Sequence, residues 1–284
     1  MINENCPCKK KKCERHGNCD DCRKHHAQSK RKRPCERSKI TKRKIQSFVE
    51  RNHMKVVVFH GSPRKGNTYT ATKIFMEAMS QCGEVNYTEF FLPKDVPQFC
   101  LGCQLCLGNP REKCPHSAYI DPIFQAIMKA DALVFATPHF GASSMTGSMK
   151  NLLDHLDFFT LTVSPRKEMF RKKAFILTTA TGSTAAVGQI KKCLKSWGIN
   201  RVSSVGIRMF IDKWDKMPVK KQQKQEKRLR KAARRFYFMK KKKPYLSSVF
   251  MYYINRFIIN KFVGEGNYPF EYWKEHGYFD KCPF

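Results

Sequence analysis

The segment from Lys55 to Thr68 limits the possible folds of this chain more than any other. Lys55-Val56-Val57-Val58-Phe59-His60 is a short, largely apolar run without alternation, the pattern of a strand buried on both faces. It passes without a spacer into Gly61-Ser62-Pro63-Arg64-Lys65-Gly66-Asn67-Thr68, and a helical pattern follows from about Tyr69 to Gln81. Strand, glycine-bearing turn and helix in that order predict the first unit of a parallel sheet. The unit recurs. Strand-like runs at Val85–Phe91, Ala132–Ala136, Ala174–Thr179 and Ser203–Phe210 alternate with helical patterns at Pro122–Lys129, Ser148–His155 and Ala185–Trp197. The expected class is therefore α/β, a doubly wound five-stranded parallel sheet with helices on both faces. Such sheets bind ligands at the carboxyl ends of their strands, near the switch in strand order.

The turn itself has anion-binding chemistry. Gly61 and Gly66 let the backbone approach a ligand, Ser62, Asn67 and Thr68 supply donors, and the following helix dipole favours negative charge. The glycine spacing is that of a Walker loop, but Asn67 stands where such loops carry the lysine that reaches the outer phosphates, which argues against a nucleoside triphosphatase. Nor does the segment fit G-x-G-x-x-G. A single terminal phosphate, bound without magnesium, suits it better; the alternative is an ordinary strand-to-helix turn with a cap.

These residues carry a resemblance. Gly61 to Thr68 resembles the phosphate loop of the NADPH-dependent FMN reductase family, within the flavodoxin-like superfamily. Phe135-Ala136-Thr137-Pro138-His139-Phe140-Gly141, continuing to Met145-Thr146-Gly147-Ser148-Met149-Lys150-Asn151, resembles its second flavin loop, with Lys150 and Asp154 at the expected spacing. Thr179-Ala180-Thr181-Gly182 is similar to the third. The resemblance implies a flavodoxin-like domain over residues 54–210 that binds FMN. Its phosphate would lie at Ser62, Arg64, Gly66, Asn67 and Thr68, its ring would be edged by Pro138, His139, Phe140 and Gly141, and Thr179 and Gly182 would complete the set. Many relatives carry tyrosine where Phe140 stands, so stacking is expected to survive while a hydroxyl is lost.

Two cysteine clusters remain. Cys100, Cys103, Cys106 and Cys114 share one loop after the second strand, and their spacing resembles that of the iron–sulfur flavoproteins. A four-iron cluster, a clusterless thiol loop and zinc are the readings left open. Residues 1–53 hold Cys6, Cys8, Cys13, Cys19 and Cys22, followed by His25, His26 and Cys35, in a stretch poor in apolar side chains. Such a segment needs metal to fold, so a zinc module is expected; an iron–sulfur site or a basic tail with incidental thiols are the alternatives. The first residues show no apolar run of signal-peptide type, and a reducing, cytoplasmic setting is expected.

Charge separates the ends from the middle. Basic and acidic side chains number 17 and 6 over residues 1–53, 19 and 10 over residues 54–210, and 19 and 7 over residues 211–284. Positive charge favours anionic partners of every kind without choosing among them. Little aromatic interleaving accompanies the basic runs, so no dedicated nucleic-acid role is expected. Residues 211–284 form the third region, a helical C-terminal extension. Met217–Met239 reads as a helix with Leu229, Ala232, Ala233 and Phe236 on one stripe, and Tyr245–Val263 as an amphipathic apolar segment with Arg256 and Lys261 placed to snorkel. That segment fits peripheral membrane contact, a cap over the active site, or packing on a partner in a homo-oligomer.

The resemblance implies an FMN-dependent NAD(P)H oxidoreductase that takes electrons from NADH or NADPH to an unidentified acceptor, with or without an iron–sulfur cluster. No acid–base pair is required, and no catalytic residue is assigned. The rivals are a flavin or iron–sulfur electron carrier or redox sensor without efficient NAD(P)H turnover, and a metal-binding nucleic-acid or membrane adaptor on a flavodoxin scaffold.

Overall fold

A computed structural model of the 284-residue chain describes residues 13–27, 53–139, 144–180, 185–209, 213–239 and 246–283. The chain divides into two units, Met1–His53 and Met54–Phe284. In the first, helix α1 spans Cys19–Ala27 and is opened by Asn18, whose Oδ1 accepts from the amides of Asp20 at 3.2 Å and Asp21 at 3.3 Å.

The second unit is the expected sheet. Strands β1 (Met54–His60), β2 (Val85–Phe91), β3 (Ala132–Pro138), β4 (Lys173–Ala180) and β5 (Arg201–Arg208) are all parallel, in the order β2-β1-β3-β4-β5. This is the flavodoxin-like order, and strand order reverses between β1 and β3. Because successive side chains along a strand alternate between faces, each central strand feeds two cores. Val57, Phe59, Leu133, Phe135 and Ile176 pack under helices α3 (Ser117–Lys129), α4 (Gly147–His155) and α5 (Ala185–Ser196). Val56, Val58, Val134, Phe175 and Leu177 pack on the other face, under α2 (Asn67–Ser80) and α6 (Val219–Tyr237). The basic helix is thus a structural cover: Leu229, Ala233 and Phe236 are fully buried, and the cations ride outside.

The helix expected from Pro122 begins earlier, at Ser117. Ile120, Ile123, Phe124 and Ile127 form one buried stripe, and packing that stripe carries the helix back past a proline that the sequence reading takes as its first residue. Beyond α6, helix α7 (Leu246–Ile258), continued by a wider turn over Ile259–Val263, and helix α8 (Tyr268–Glu275) build a separate aromatic cluster of Tyr252, Ile259, Phe270, Tyr272, Trp273 and Tyr278. Helix α8 packs against the helical turn Leu105–Gly108 of the central cysteine loop. Among the described residues, no helix is long and apolar enough to cross a membrane.

Candidate functional site

Three loops leave the carboxyl ends of β1, β3 and β4 and are tied together by hydrogen bonds. The carbonyl of Gly61, the first residue after β1, accepts from Thr146 Oγ1 at 2.6 Å and from Ser148 Oγ at 3.2 Å, both at the start of α4. Gly61 donates its own amide to Ala136 O at 2.7 Å. A Cβ on Gly61 would lie 3.0 Å from Met149 Cε and 3.1 Å from Thr137 Cβ and Thr146 Oγ1, so the second loop approaches this backbone closely and a larger residue would have to push it back by a few tenths of an ångström. Thr146 also caps α4, accepting from Met149 N at 3.3 Å. The third loop joins through Thr179, whose hydroxyl lies 2.6 Å from that of Thr68, with both residues buried.

Around this knot the expected phosphate residues take different positions. Thr68 is buried and acts through Thr179, and Ser62 and Asn67 are half-buried. Arg64 and Gly66 are exposed, and Ser62 Oγ accepts from the Arg64 amide at 3.3 Å. Helix α2 opens at Gly66 with no side-chain cap and no acidic residue in its first turn, which leaves its positive dipole end available to an anion. Beside it, Lys65 Nζ lies 5.6 Å from the Tyr69 ring and 5.7 Å from that of Phe91. His60, buried at the end of β1, faces Glu89 Oε2 at 2.8 Å, and burial holds its imidazole below the ordinary value of 6.5.

Pro138 ends β3, and His139 follows it with its backbone amide on Thr179 O at 2.9 Å. Both ring nitrogens of His139 are buried without a hydrogen-bond partner among the described residues, and burial pushes the imidazole below 6.5. An imidazole left in this state at a strand end fits a ligand with a polar edge. Phe140, Gly141 and Gly182, expected beside the ring, lie outside the described residues. The residues in place therefore fit FMN: donors and a helix terminus for a phosphate, and a histidine seeking a partner where the ring edge is expected.

The cysteine loop is joined to the same helix. Asn151 of α4 accepts from the Cys100 amide at 2.9 Å and donates to Gln98 O at 2.8 Å. Cys100, Cys106 and Cys114 are half-buried and Cys103 is exposed. A cleft of about 290 Å³ is lined by Cys100, Cys106, Asp154 and Asp157. Burial, together with the neighbouring Cys114 and Cys100, pushes the Cys106 thiol up to about 11. Among the described residues no three His, Cys, Asp or Glu side chains converge as metal ligands. Of the N-terminal candidates, Cys13 and Cys22 are half-buried, while Cys6, Cys8 and the side chain of Cys19 lie outside the described residues.

Three contributors have contacts that the sequence does not announce. Thr146 carries a recognisable signal, a threonine directly before a helical pattern. Asn151 stands in the stretch that resembles the second flavin loop, but nothing there points to its hold on the cysteine loop, and the buried pair His116–His155, with 2.9 Å between Nδ1 and Nε2, carries no signal, because only the fold brings these partners near.

The model of a family described as NADPH-dependent FMN reductase matches residues 54–210. An iron-sulfur flavoprotein of Archaeoglobus fulgidus is 33% identical over 103 residues, which are 36% of this chain and 48% of that protein. The match thus spans about half the length of this curated relative. Among solved structures, the azoreductase AzrA superposes with a TM-score of 0.52 at 15% identity, over 64% of this chain and 100% of the other. An NAD(P)H:quinone oxidoreductase of Methanothermobacter marburgensis does so at 0.51 and 17%, over 64% and 96%. These two likenesses show the fold.

Proposed function

Because the chain belongs to the NADPH-dependent FMN reductase family, we propose that it is an FMN-dependent oxidoreductase that draws electrons from NADH or NADPH and delivers them to an acceptor. The observation that carries this reading is the knot of three strand-end loops through Gly61, Thr146 and Ser148, and Thr68 and Thr179, with the His139 imidazole beside it, buried and without a partner among the described residues. Bound there, FMN supplies hydride and electron transfer. The chain's own residues bind and orient. Ser62, Asn67 and the opening of α2 offer hydrogen bonds to the phosphate, and Arg64 and Lys65 offer charge. Thr68 acts as a positioning residue, fixing the third loop through Thr179. Pro138 and His139, at the end of β3, would edge the ring. His139, kept neutral by burial, holds one N–H donor and one acceptor for that edge.

The test is spectroscopic and kinetic. Purified full-length protein, reconstituted with FMN, is expected to show a two-band flavin spectrum that bleaches on anaerobic addition of NADH or NADPH. Absence of flavin binding would overturn the proposal, and tight flavin with negligible steady-state turnover would replace it with the electron-carrier reading. A second reading is favoured by the likeness to the iron-sulfur flavoprotein. In it Cys100, Cys103, Cys106 and Cys114 rearrange to hold an iron–sulfur cluster. Iron and acid-labile sulfide in stoichiometric amounts, lost in the Cys103→Ser variant, would support it. Zinc analysis of the same sample tests the N-terminal module.

A further inference from the structure

Helix α7 is built inside out. The residues it buries are Ser248, Tyr252, Asn255 and Ile259, spaced by four, three and four. Two of its inward polar groups are engaged: Asn200 Nδ2 bonds Ser248 Oγ, and the Tyr252 hydroxyl donates to the Tyr278 carbonyl. Tyr252 also stacks on Trp273 with centroids 5.3 Å apart. These contacts fix the rotation of the helix. The opposite stripe, spaced by the same steps, is Leu246, Phe250, Tyr253 and Phe257, exposed at 88%, 65%, 51% and 57%. Met251 and Phe262 widen it. A contiguous exposed patch of this kind marks a surface that meets another apolar medium.

Charge identifies the medium. Between Glu226 and Glu265 the sequence holds 12 basic residues and no acidic one. Four of them are the consecutive lysines 240–243, which precede α7 in the sequence. On the helix and the turn that continues it, Arg256 and Lys261 are the cations, and Lys261 Nζ lies 5.5 Å from the Phe257 ring. A second copy packed stripe to stripe would set Arg256 and Lys261 against cations of the same kind. An anionic bilayer satisfies both halves of the pattern, taking the aromatic side chains into its interface and the cations among its headgroups. No described helix can span it, so the contact lies in the membrane plane. We infer that α7 docks this protein on anionic lipid surfaces through Leu246, Phe250, Tyr253 and Phe257, with Arg256 and Lys261 at the headgroups.

Flotation of the full chain with vesicles tests this independently of flavin chemistry. Wild-type protein is expected to float with vesicles of phosphatidylglycerol and phosphatidylcholine and to remain behind with phosphatidylcholine alone. The Phe250→Glu/Phe257→Glu double variant changes only exposed side chains and is expected to lose about tenfold or more in partitioning. Arg256→Gln/Lys261→Gln is expected to lose roughly tenfold, with salt producing a similar loss in the wild type. Circular dichroism and native mass of each variant should match the wild type. No binding to the anionic vesicles would overturn the inference. So would binding unchanged by the two glutamates, which would assign adsorption to charge elsewhere. A wild-type dimer that those glutamates convert to monomer, without vesicle binding, would give the stripe to a second copy.

Discussion

At the residue scale, the pair beneath the cysteine loop makes a pH-dependent prediction. His155 Nδ1 donates to the Asn151 carbonyl at 2.9 Å, which leaves Nε2 as an acceptor; His116 then donates from Nδ1 across 2.9 Å. Both rings are buried, and burial holds His155 below 6.5. Protonating His155 would set two donors against each other. Because the folded pKa is depressed, the unfolded chain binds more protons as pH falls. Stability is unaffected well above 6.5 and declines as pH drops below it toward the folded value. Melting temperatures at about pH 7.5 and about pH 5.5 should differ more in the wild type than in His155→Leu; equal differences would refute the coupling. A second prediction concerns Gly61. Gly61→Ala places a Cβ against Thr146 and Met149, and should weaken FMN affinity at least about tenfold, a cost of about 1.4 kcal/mol or more, as read by flavin titration. The sequence made Gly61 conspicuous, because a glycine closing an apolar run announces a backbone approach. It did not announce the approaching atoms.

Elements show a division of labour at the start of β4. Lys172 Nζ donates to the Met128 and Ala130 carbonyls at 3.1 and 2.6 Å, and Lys173 Nζ donates to Phe236 and Tyr237 at 2.7 and 2.8 Å. Adjacent residues point to opposite faces, so two neighbouring ammonium groups close the carboxyl ends of α3 and α6 on the two sides of one sheet. Lys173→Met should lower unfolding free energy by about 1–3 kcal/mol, since it leaves buried carbonyls unsatisfied. Urea denaturation would measure this, and FMN affinity should remain unchanged. This pairing was invisible in a chain with 55 basic residues. The strands were legible for the opposite reason: Val56–Phe59 and Ala132–Ala136 are buried on both sides, so their apolar runs are continuous. The stripe on α6 was legible too, but periodicity gives a face and not the surface it meets.

For the whole molecule, the matched family region ends at residue 210, yet α6 lies beyond it and covers Phe75, Phe175 and Leu177. A chain cut after Phe210 should therefore be insoluble or unfolded. One cut after Met239 loses the separate aromatic cluster and should retain a cooperative fold and flavin. Circular dichroism and FMN content of the two truncations check both outcomes, and a folded shorter form would contradict the packing. Helix α4 has a consequence of another kind. Thr146 and Ser148 grip the first loop at Gly61, and three residues later Asn151 grips the backbone of the cysteine loop. The two grips are set in phase, like cams on one shaft. One inserted alanine between Ser148 and Asn151 would rotate everything after it by about 100°, leaving the Gly61 grip engaged and turning Asn151 away from its loop. The reading frame of a single helical turn thus times the cysteine loop to the loop after β1.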